Sequence, residues 1–288
     1  MLKKAFVITT INKPNPIMKL YAKMCKEKSI DYYIIGDAKS PKKFKLKDSN
    51  YFNIKDQEKL EFSYASKCIK NAYVRKNIGY LIAIKNNADV IIESDDDNLP
   101  LKNFFSNISI YKKCILLKNK SWVNIFNYFL KDKKKIIWPR GFPLDEIKVK
   151  NNFKGKLKYI YSPVQQHLSD KDPDVDAIYR LTHKETDIKF QKKTALGIYH
   201  KTYSTFNSQN TRWFKYAFPL LYLPTSCTFR ACDIWRGLIT LRVLHLNNIP
   251  LTYSSATNLQ YRNYHNIFDD FKDEIPFYLK NKKIINAI

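Results

Sequence analysis

Three consecutive aspartates, Asp95, Asp96 and Asp97, close the stretch "ADVIIESDDDNLP" over residues 88–100. Alternate residues of an extended strand share a side, so Asp95 and Asp97 are expected to face one way and Asp96 the other. Two carboxylates on one side of a strand end can hold a hard divalent cation, with phosphate oxygens completing its shell. Such an ion relieves the repulsion that makes neighbouring carboxylates costly. The plainer alternative is an acidic turn ahead of Asn98-Leu99-Pro100. The chemistry that suits a cation is attack on a nucleotide-activated substrate. A diphosphate departs there with its charge held by Mg²⁺ or Mn²⁺ and by Lys or Arg.

Arg75 and Lys76 precede the acidic strand on an expected helix and are candidate phosphate ligands, although ordinary helix-surface charge would look the same. An acceptor hydroxyl would need a general base, and Asp233, Asp174 and Asp176 are the candidates. Asp233 stands before an expected helix, where it would also serve as an N-cap. Asp174 and Asp176 would equally be turn and strand-edge acids. An ordinary carboxylate is already ionised at neutral pH, so geometry decides among the three.

The elements that must position these groups follow from periodicity. "KAFVITTIN" (4–12) reads as a buried strand with a polar end, residues 16–28 as a helix, and "DYYIIGD" (31–37) as a second strand. Ala65, Cys68, Ile69, Ala72, Gly79, Ile82 and Ala83 recur at helical spacing and predict one long helix from Ser63 to about Asn86, before the strand "ADVIIES". Alternating strands and helices indicate a parallel α/β sheet, whose ligands bind at the carboxyl ends of strands. Three such ends are polar: Thr9, Thr10 and Asn12; Gly36-Asp37; and the aspartates. Further on, "KKIIWPRGFPLDEI" predicts a short strand and a Pro-bracketed turn, and "DKDPDVDAIYRLT" sets acids before a strand-like stretch. "TSCTFRACDIWRGLITLRVLHLN" reads as a loop entering a helix near Asp233, with Ile234, Leu238, Leu241 and His245 on one face. No composition shift divides the chain, so one domain is expected over 1–288, with residues 1–100 as a nucleotide-binding half and 101–288 as an acceptor-binding half.

A chain of 288 residues with 44% hydrophobic content can bury one large core. The 51 Lys and Arg against 26 Asp and Glu leave a net charge of +25, and only eight of the cations are Arg. That excess suits a polyanionic partner or an anionic membrane surface. It equally suits a solvated surface shaped by an AT-rich genome, and the short clusters such as Lys131–Lys135 favour this second view. A nucleic-acid-binding protein is therefore the alternative from another class; its salt-sensitive binding would survive Asp97→Ala. Five cysteines without metal-ligand spacing suggest reduced thiols and an intracellular protein. "MLKKAFVITT" reads as a strand, and apolar stretches such as "AFPLLYLP" are far short of a membrane span. A cytoplasmic place, with at most peripheral contact with the inner face of a membrane, is expected.

Taken in order, "YVRKNIGYLIAIKNNADVIIESDDDN", "WPRGFPL", "DPDVDAIYRLT", "FNSQNT", "FRACDIWRG" and "YRNYHNIFDDFKDEIPFYL" carry a resemblance over roughly residues 5 to 280. The chain resembles the STELLO-type glycosyltransferase family and, more distantly, the reversibly glycosylated polypeptides, which are plant UDP-arabinopyranose mutases. The resemblance implies a GT-A type α/β fold with a mostly parallel sheet flanked by helices. It implies a nucleoside-diphosphate-sugar donor and a Mn²⁺ or Mg²⁺ ion at the DxD motif, Asp95–Asp97. By it, Asp97 would ligate the metal, Asp95 would contact the metal or the ribose, and Asp96 would assist. Thr9, Thr10, Asn12 and Asp37 would border the base and ribose, and Arg75 and Lys76 match the block before the acidic strand. Arg140 would lie near the donor sugar, unless it only fixes a Pro-rich turn. Asp233 becomes the first candidate for the base, and His265 would join the metal. The implied activity moves a sugar to a hydroxyl of a glycan, a lipid-linked sugar or a small molecule, with surface glycan synthesis as its expected setting. A UDP-sugar mutase is the alternative. The membrane-anchored setting of the plant proteins is not expected to carry over.

Overall fold

The computed structural model describes residues 2–119, 121–183 and 187–287. Strands β1 (Lys4–Thr10), β2 (Ile30–Gly36), β3 (Asn50–Phe52) and β4 (Val90–Ser94) lie parallel in the order β3-β2-β1-β4. β1 and β4 are buried on both faces, as a parallel sheet covered by helices requires. Helix α1 (Pro16–Glu27) starts where the Asn15 side chain accepts from Met18 N, with Pro16 in its first turn. Its Met18, Tyr21 and Cys25 pack on Phe6, Ile8, Tyr32 and Ile34.

The opposite face is covered less simply. Two short helices, α2 (Ile54–Glu58) and α3 (Ser63–Lys67), precede a 3-10 turn over Tyr73–Arg75 and helix α4 (Lys76–Lys85). The single helix expected from Ser63 to Asn86 is thus interrupted. The Asp37 carboxylate accepts from Asn71 N at 2.8 Å and Ala72 N at 2.9 Å, and Asn71 takes φ 54°, so a distant side chain holds a bend where helix would otherwise continue. α4 lies close on the sheet at Gly79, where a Cβ would stand 2.5 Å from Val7 and 2.9 Å from Ile35.

Beyond β4 the sheet continues through β10 (Asn210–Phe214), β8 (Val164–Lys171), β11 (Leu251–Gln260), β9 (Ala195–Ile198), β6 (Tyr111–Leu117) and β7 (Lys156–Tyr161), and β5 (Asn98–Pro100) pairs with β11. This is an α/β fold around one large central sheet. Its first four strands are parallel as expected. The rest is mixed, since β10 runs against both β4 and β8. Both halves of the chain share the sheet. Helices α5 (Ile125–Phe129), α6 (Ala177–Thr182), α7 (Cys232–Leu246) and α8 (Ile267–Ala287) complete the second half.

Two expected strands are absent there. Residues 136–138 have no strand partner, and Ile137 O instead accepts from Asn124 Nδ2 at 2.7 Å. The strand-like "AIYRLT" is helix α6, because the Asp176 side chain caps Tyr179 N at 2.8 Å. All five cysteines are free, and among the described residues no helix is long and apolar enough to cross a membrane.

Candidate functional site

β4 ends at Ser94, and Asp95–Asp97 turn away instead of extending it, so simple alternation does not hold and the three carboxylates diverge. Asp96 points to the end of β1. Its Oδ2 accepts from the Thr10 hydroxyl and from Asn12 Nδ2 at 2.9 Å, and its carbonyl accepts from Asn15 Nδ2 at 2.8 Å. Thr10 and Asn12 therefore hold the turn against β1. Thr9, one residue back and half-buried, makes no hydrogen bond to the turn among the described residues. Asp37, at the end of β2, is occupied by the amides of Ala38, Asn71 and Ala72.

Asp95 points the other way. Its Oδ1 accepts from the Tyr73 hydroxyl at 2.8 Å and from Lys76 Nζ at 3.0 Å, while Lys76 also donates to Ser94 O at 2.7 Å. Burial raises the Asp95 carboxyl, and Lys76 only partly opposes it. Asp95 Oδ2 accepts no hydrogen bond among the described residues. Asp97 receives only Asn98 Nδ2 at 3.0 Å and the Asn263 amide at 3.3 Å. Burial, then repulsion from Asp95 and Asp96, pushes its carboxyl up to about 7. The Asn263 amide and Arg262 only partly oppose this, so the ionised form is poorly compensated and a bound cation would favour it.

No group of three or more His, Cys, Asp or Glu converges among the described residues to hold a metal by itself. The oxygens left for a hard cation are Asp95 Oδ2 and the Asp97 carboxylate. Mg²⁺-type sites that use one or two carboxylates plus substrate phosphates need no more from the protein. His265 is not grouped with them. Its Nδ1 lies 3.4 Å from Asp270 Oδ1, and Asp270 also anchors Arg262 at 2.7 Å, which draws the segment toward the start of α8. Arg75 is likewise turned away from the acidic turn. Its guanidinium is buried on the Gln57 side chain and the carbonyls of Cys68 and Ile69, where it fixes the α3–α4 connection. Lys76, next in sequence, is the cation that reaches the turn.

A second polar cluster sits at the start of α7. Arg140 donates through Nη1 to Asp233 Oδ1 at 3.0 Å, through Nη2 to Asp233 Oδ2 at 2.8 Å, and through Nε to Asp174 at 2.8 Å. Asp233 also accepts from Ile234 N, Ser208 N and Ser208 Oγ. Even without the Ser208 hydroxyl, four N–H donors fill the carboxylate's about four lone-pair sites, so no site remains for an acceptor hydroxyl. The base role expected of Asp233 therefore finds no open oxygen. Asp174 is held by Arg140 and by Asn207 Nδ2 at 2.6 Å; burial alone would raise its carboxyl, but Arg140 and Arg230 outweigh this and keep it well below the usual range. Asp176 is the cap of α6 and accepts from Trp138 Nε1 at 2.6 Å, with burial pushing it up to about 7. All three candidates for the base are built into the fold.

Two hydroxyls that sequence reasoning passed over join the clusters. The Tyr73 oxygen lies 2.5 Å from Ser208 Oγ, so a continuous path runs from Asp95 through Tyr73 and Ser208 to Asp233. Asn263 is another omission: its amide reaches Asp97 and its side chain reaches Asp96 at 3.4 Å. Beneath the turn, Glu93 forms a buried pair with Arg236 at 2.8 Å and accepts from Tyr80 and Trp213. Tyr73, Ser208, Arg236 and Asn263 all lie inside the segments that carry the family resemblance, and that was the available signal.

Comparison with known proteins agrees with that resemblance. Residues 230–288, which hold Asp233, Arg236 and Asn263, match the family described as STELLO glycosyltransferases. The chain is 29% identical to probable glycosyltransferase STELLO1 of Arabidopsis thaliana, covering 73% of this chain and 29% of that protein. It is 28% identical to probable glycosyltransferase STELLO2 of the same plant, covering 84% and 34%. The chain thus spans about a third of the length of these curated relatives. Among solved structures, one titled as a mycobacterial protein aligns with TM-score 0.48 at 8% identity, over 97% of this chain and 74% of that one. Glucosyl-3-phosphoglycerate synthase from Mycobacterium tuberculosis aligns with TM-score 0.43 at 8% identity, over 97% and 80%. Likeness at those scores carries no argument. The family and relative matches support a STELLO-type assignment.

Proposed function

We propose that this chain, STELLO-type by those matches, is a metal-dependent glycosyltransferase that moves a sugar from a nucleoside-diphosphate-sugar to a hydroxyl of a surface glycan. The observation that carries the reading is the acidic turn at the carboxyl end of β4. Asp96 is spent on holding the turn to β1, while Asp95 Oδ2 and Asp97 remain open beside Lys76.

In this reading Asp95 and Asp97 hold the divalent ion, which when bound stabilises charge on the departing diphosphate. Lys76 and Tyr73 orient Asp95, and Thr10 and Asn12 orient the turn through Asp96. Arg140, clamped by Asp174 and Asp233, is a rigid wall near the sugar. Asp233 acts by positioning Arg140 and Ser208, not by taking the acceptor's proton.

A thermal-shift screen of nucleotide-sugars with and without Mn²⁺ tests the proposal, because a ligand that binds only the folded state raises its apparent stability. Stabilisation is expected only with donor and metal together, and Asp97→Ala should abolish it. A screen in which no nucleotide-sugar shifts the protein with Mn²⁺ present would overturn the reading. Incubation with UDP-sugars alone separates transfer from the mutase chemistry, which needs no acceptor.

A further inference from the structure

The excess positive charge is unevenly placed. Residues 98–131, 147–169 and 188–232 contain no Asp or Glu. These segments supply β5, β6, β7, β9, β10 and most of β8, so the β6–β7 end of the sheet has cations that no local acid offsets. β7 is the outermost strand there. Its register with β6 puts Tyr111, Lys113 and Ile115 on the same face as Tyr161, Tyr159 and Leu157.

That face carries a continuous row of tyrosines. Tyr159 stacks on Tyr111 at 5.8 Å, Tyr111 meets Tyr161 at 5.9 Å, and Tyr161 meets Tyr216 at 5.9 Å. Tyr159 is 70% exposed, Tyr216 62%, Leu157 55% and Tyr111 50%. Lys113 on that face and Lys215 beside Tyr216 are exposed, Lys156 and Lys158 are exposed on the opposite face of β7, and none of the four forms an ion pair among the described residues. Lysines alone would be the usual protection of an edge strand against pairing. A row of bare phenol rings is the opposite of protection.

We infer that this face docks on an anionic lipid surface, with the tyrosines and Leu157 at the headgroup level and the lysines on lipid phosphates and carboxylates. Amphipathic rings with a polar tip are suited to that depth, and long lysine side chains reach outward from it. Single-stranded nucleic acid would also stack its bases on exposed rings, but Leu157, exposed in the same row, offers no π-face and suits the acyl boundary of a lipid surface. The surface is separate from the acidic turn: β10 begins with Asn210 paired to Ser94, and its other end leads through Phe214 into Lys215 and Tyr216. The docking is therefore independent of the sugar-transfer reading.

Co-sedimentation of the full chain with vesicles tests it. Binding is expected to vesicles of phosphatidylcholine and phosphatidylserine in equal parts, and not to phosphatidylcholine alone. Lys113→Gln and Lys215→Gln should each weaken binding on the order of fivefold at low salt, and Lys156→Gln and Lys158→Gln, on the opposite face, should weaken it less. Tyr111→Ser with Tyr159→Ser should weaken it as well, with single-stranded oligonucleotide binding unchanged. No binding to the mixed vesicles, or binding that the tyrosine pair does not alter, overturns the proposal. Should that pair fail to fold, acetylation of the wild-type chain decides. Vesicles should protect Lys113 and Lys215 but leave Lys42, Lys45 and Lys47 reactive, and equal protection of both sets would refute the assignment.

Discussion

Arg140 and Asp233, 93 positions apart in sequence, meet edge to edge through two parallel hydrogen bonds of 2.8 and 3.0 Å. Both side chains are almost wholly buried, at 6% and 7% exposed. Asp233→Ala leaves Arg140 paired with Asp174 through Nε but takes the carboxylate from its two terminal nitrogens, so stability should fall by about 1–3 kcal/mol. Chemical denaturation measures it. A change below about 1 kcal/mol, the size expected of an exposed pair, would contradict the buried geometry.

Asp97 sets the pH dependence. Its carboxyl is raised from 3.8 to about 7 by burial and by Asp95 and Asp96, so between those values the folded chain holds a proton that the unfolded chain has released. Stability then falls as pH rises through that window. Asp176, also raised to about 7, adds to the fall. Asp174, held well below the ordinary range, contributes stability that is lost only as pH drops further. Without metal the protein should be most stable on the acid side of neutrality. Thermal melts across that range should show a shallower decline for Asp97→Asn, and the wild type should follow it when Mn²⁺ is added. An unchanged slope in the variant would rule out Asp97 as the source.

Much of the first half was legible because its signals are local. Continuous apolar runs marked β1, β2 and β4, and residues 16–28 were legible as the helix that forms α1. Misreadings arose where a distant side chain decided the backbone. Asp37 breaks the helix expected after Ser63 by capping amides 34 and 35 positions away. Asp176 makes a helix of residues whose apolar run looked like a strand. Alternation failed at Asp95–Asp97 because β4 stops at Ser94, which no period reveals. The aspartates, Lys76 and Asp233 could be chosen from residue type and order, and Arg140 from the family resemblance. What each does could not, because Asp233 is decided by Arg140 and Ser208, and Arg75 by Gln57.

Tyr73 and Ser208 share two hydroxyl protons among three acceptor positions: Asp95, Asp233 and each other. Both protons run toward Asp95 or both toward Asp233, and the shorter contact, 2.8 Å at Asp95 against 3.3 Å at Asp233, favours the first arrangement. Tyr73→Phe and Ser208→Ala should each cost only about 1 kcal/mol in stability, as for an ordinary hydrogen bond. Their effects on the thermal shift produced by nucleotide and Mn²⁺ should be non-additive, because either change breaks the same path. Additive effects would mean the two hydroxyls act separately.

Glu93 underlies the acidic turn, and its replacement distinguishes support from contact. The carboxylate is fully buried, pairs with both terminal nitrogens of Arg236 at 2.8 and 3.1 Å, and accepts from Trp213 Nε1 at 2.8 Å and from the Tyr80 hydroxyl. Glu93→Gln leaves the Arg236 charge unpaired and turns an amide N–H₂ toward groups that are themselves donors. A loss of about 3–5 kcal/mol is expected. Replacing both members, Glu93→Leu with Arg236→Met, removes the stranded charge and should recover part of that loss. It should not restore wild-type stability, because Tyr80 and Trp213 would each lose a buried acceptor at about 1–3 kcal/mol. Since Ser94 and Asp95 follow directly on Glu93, the double variant should also bind nucleotide and Mn²⁺ more weakly at temperatures where it is fully folded. Unaltered binding there would show that Glu93 supports the fold alone and leaves the turn unaffected.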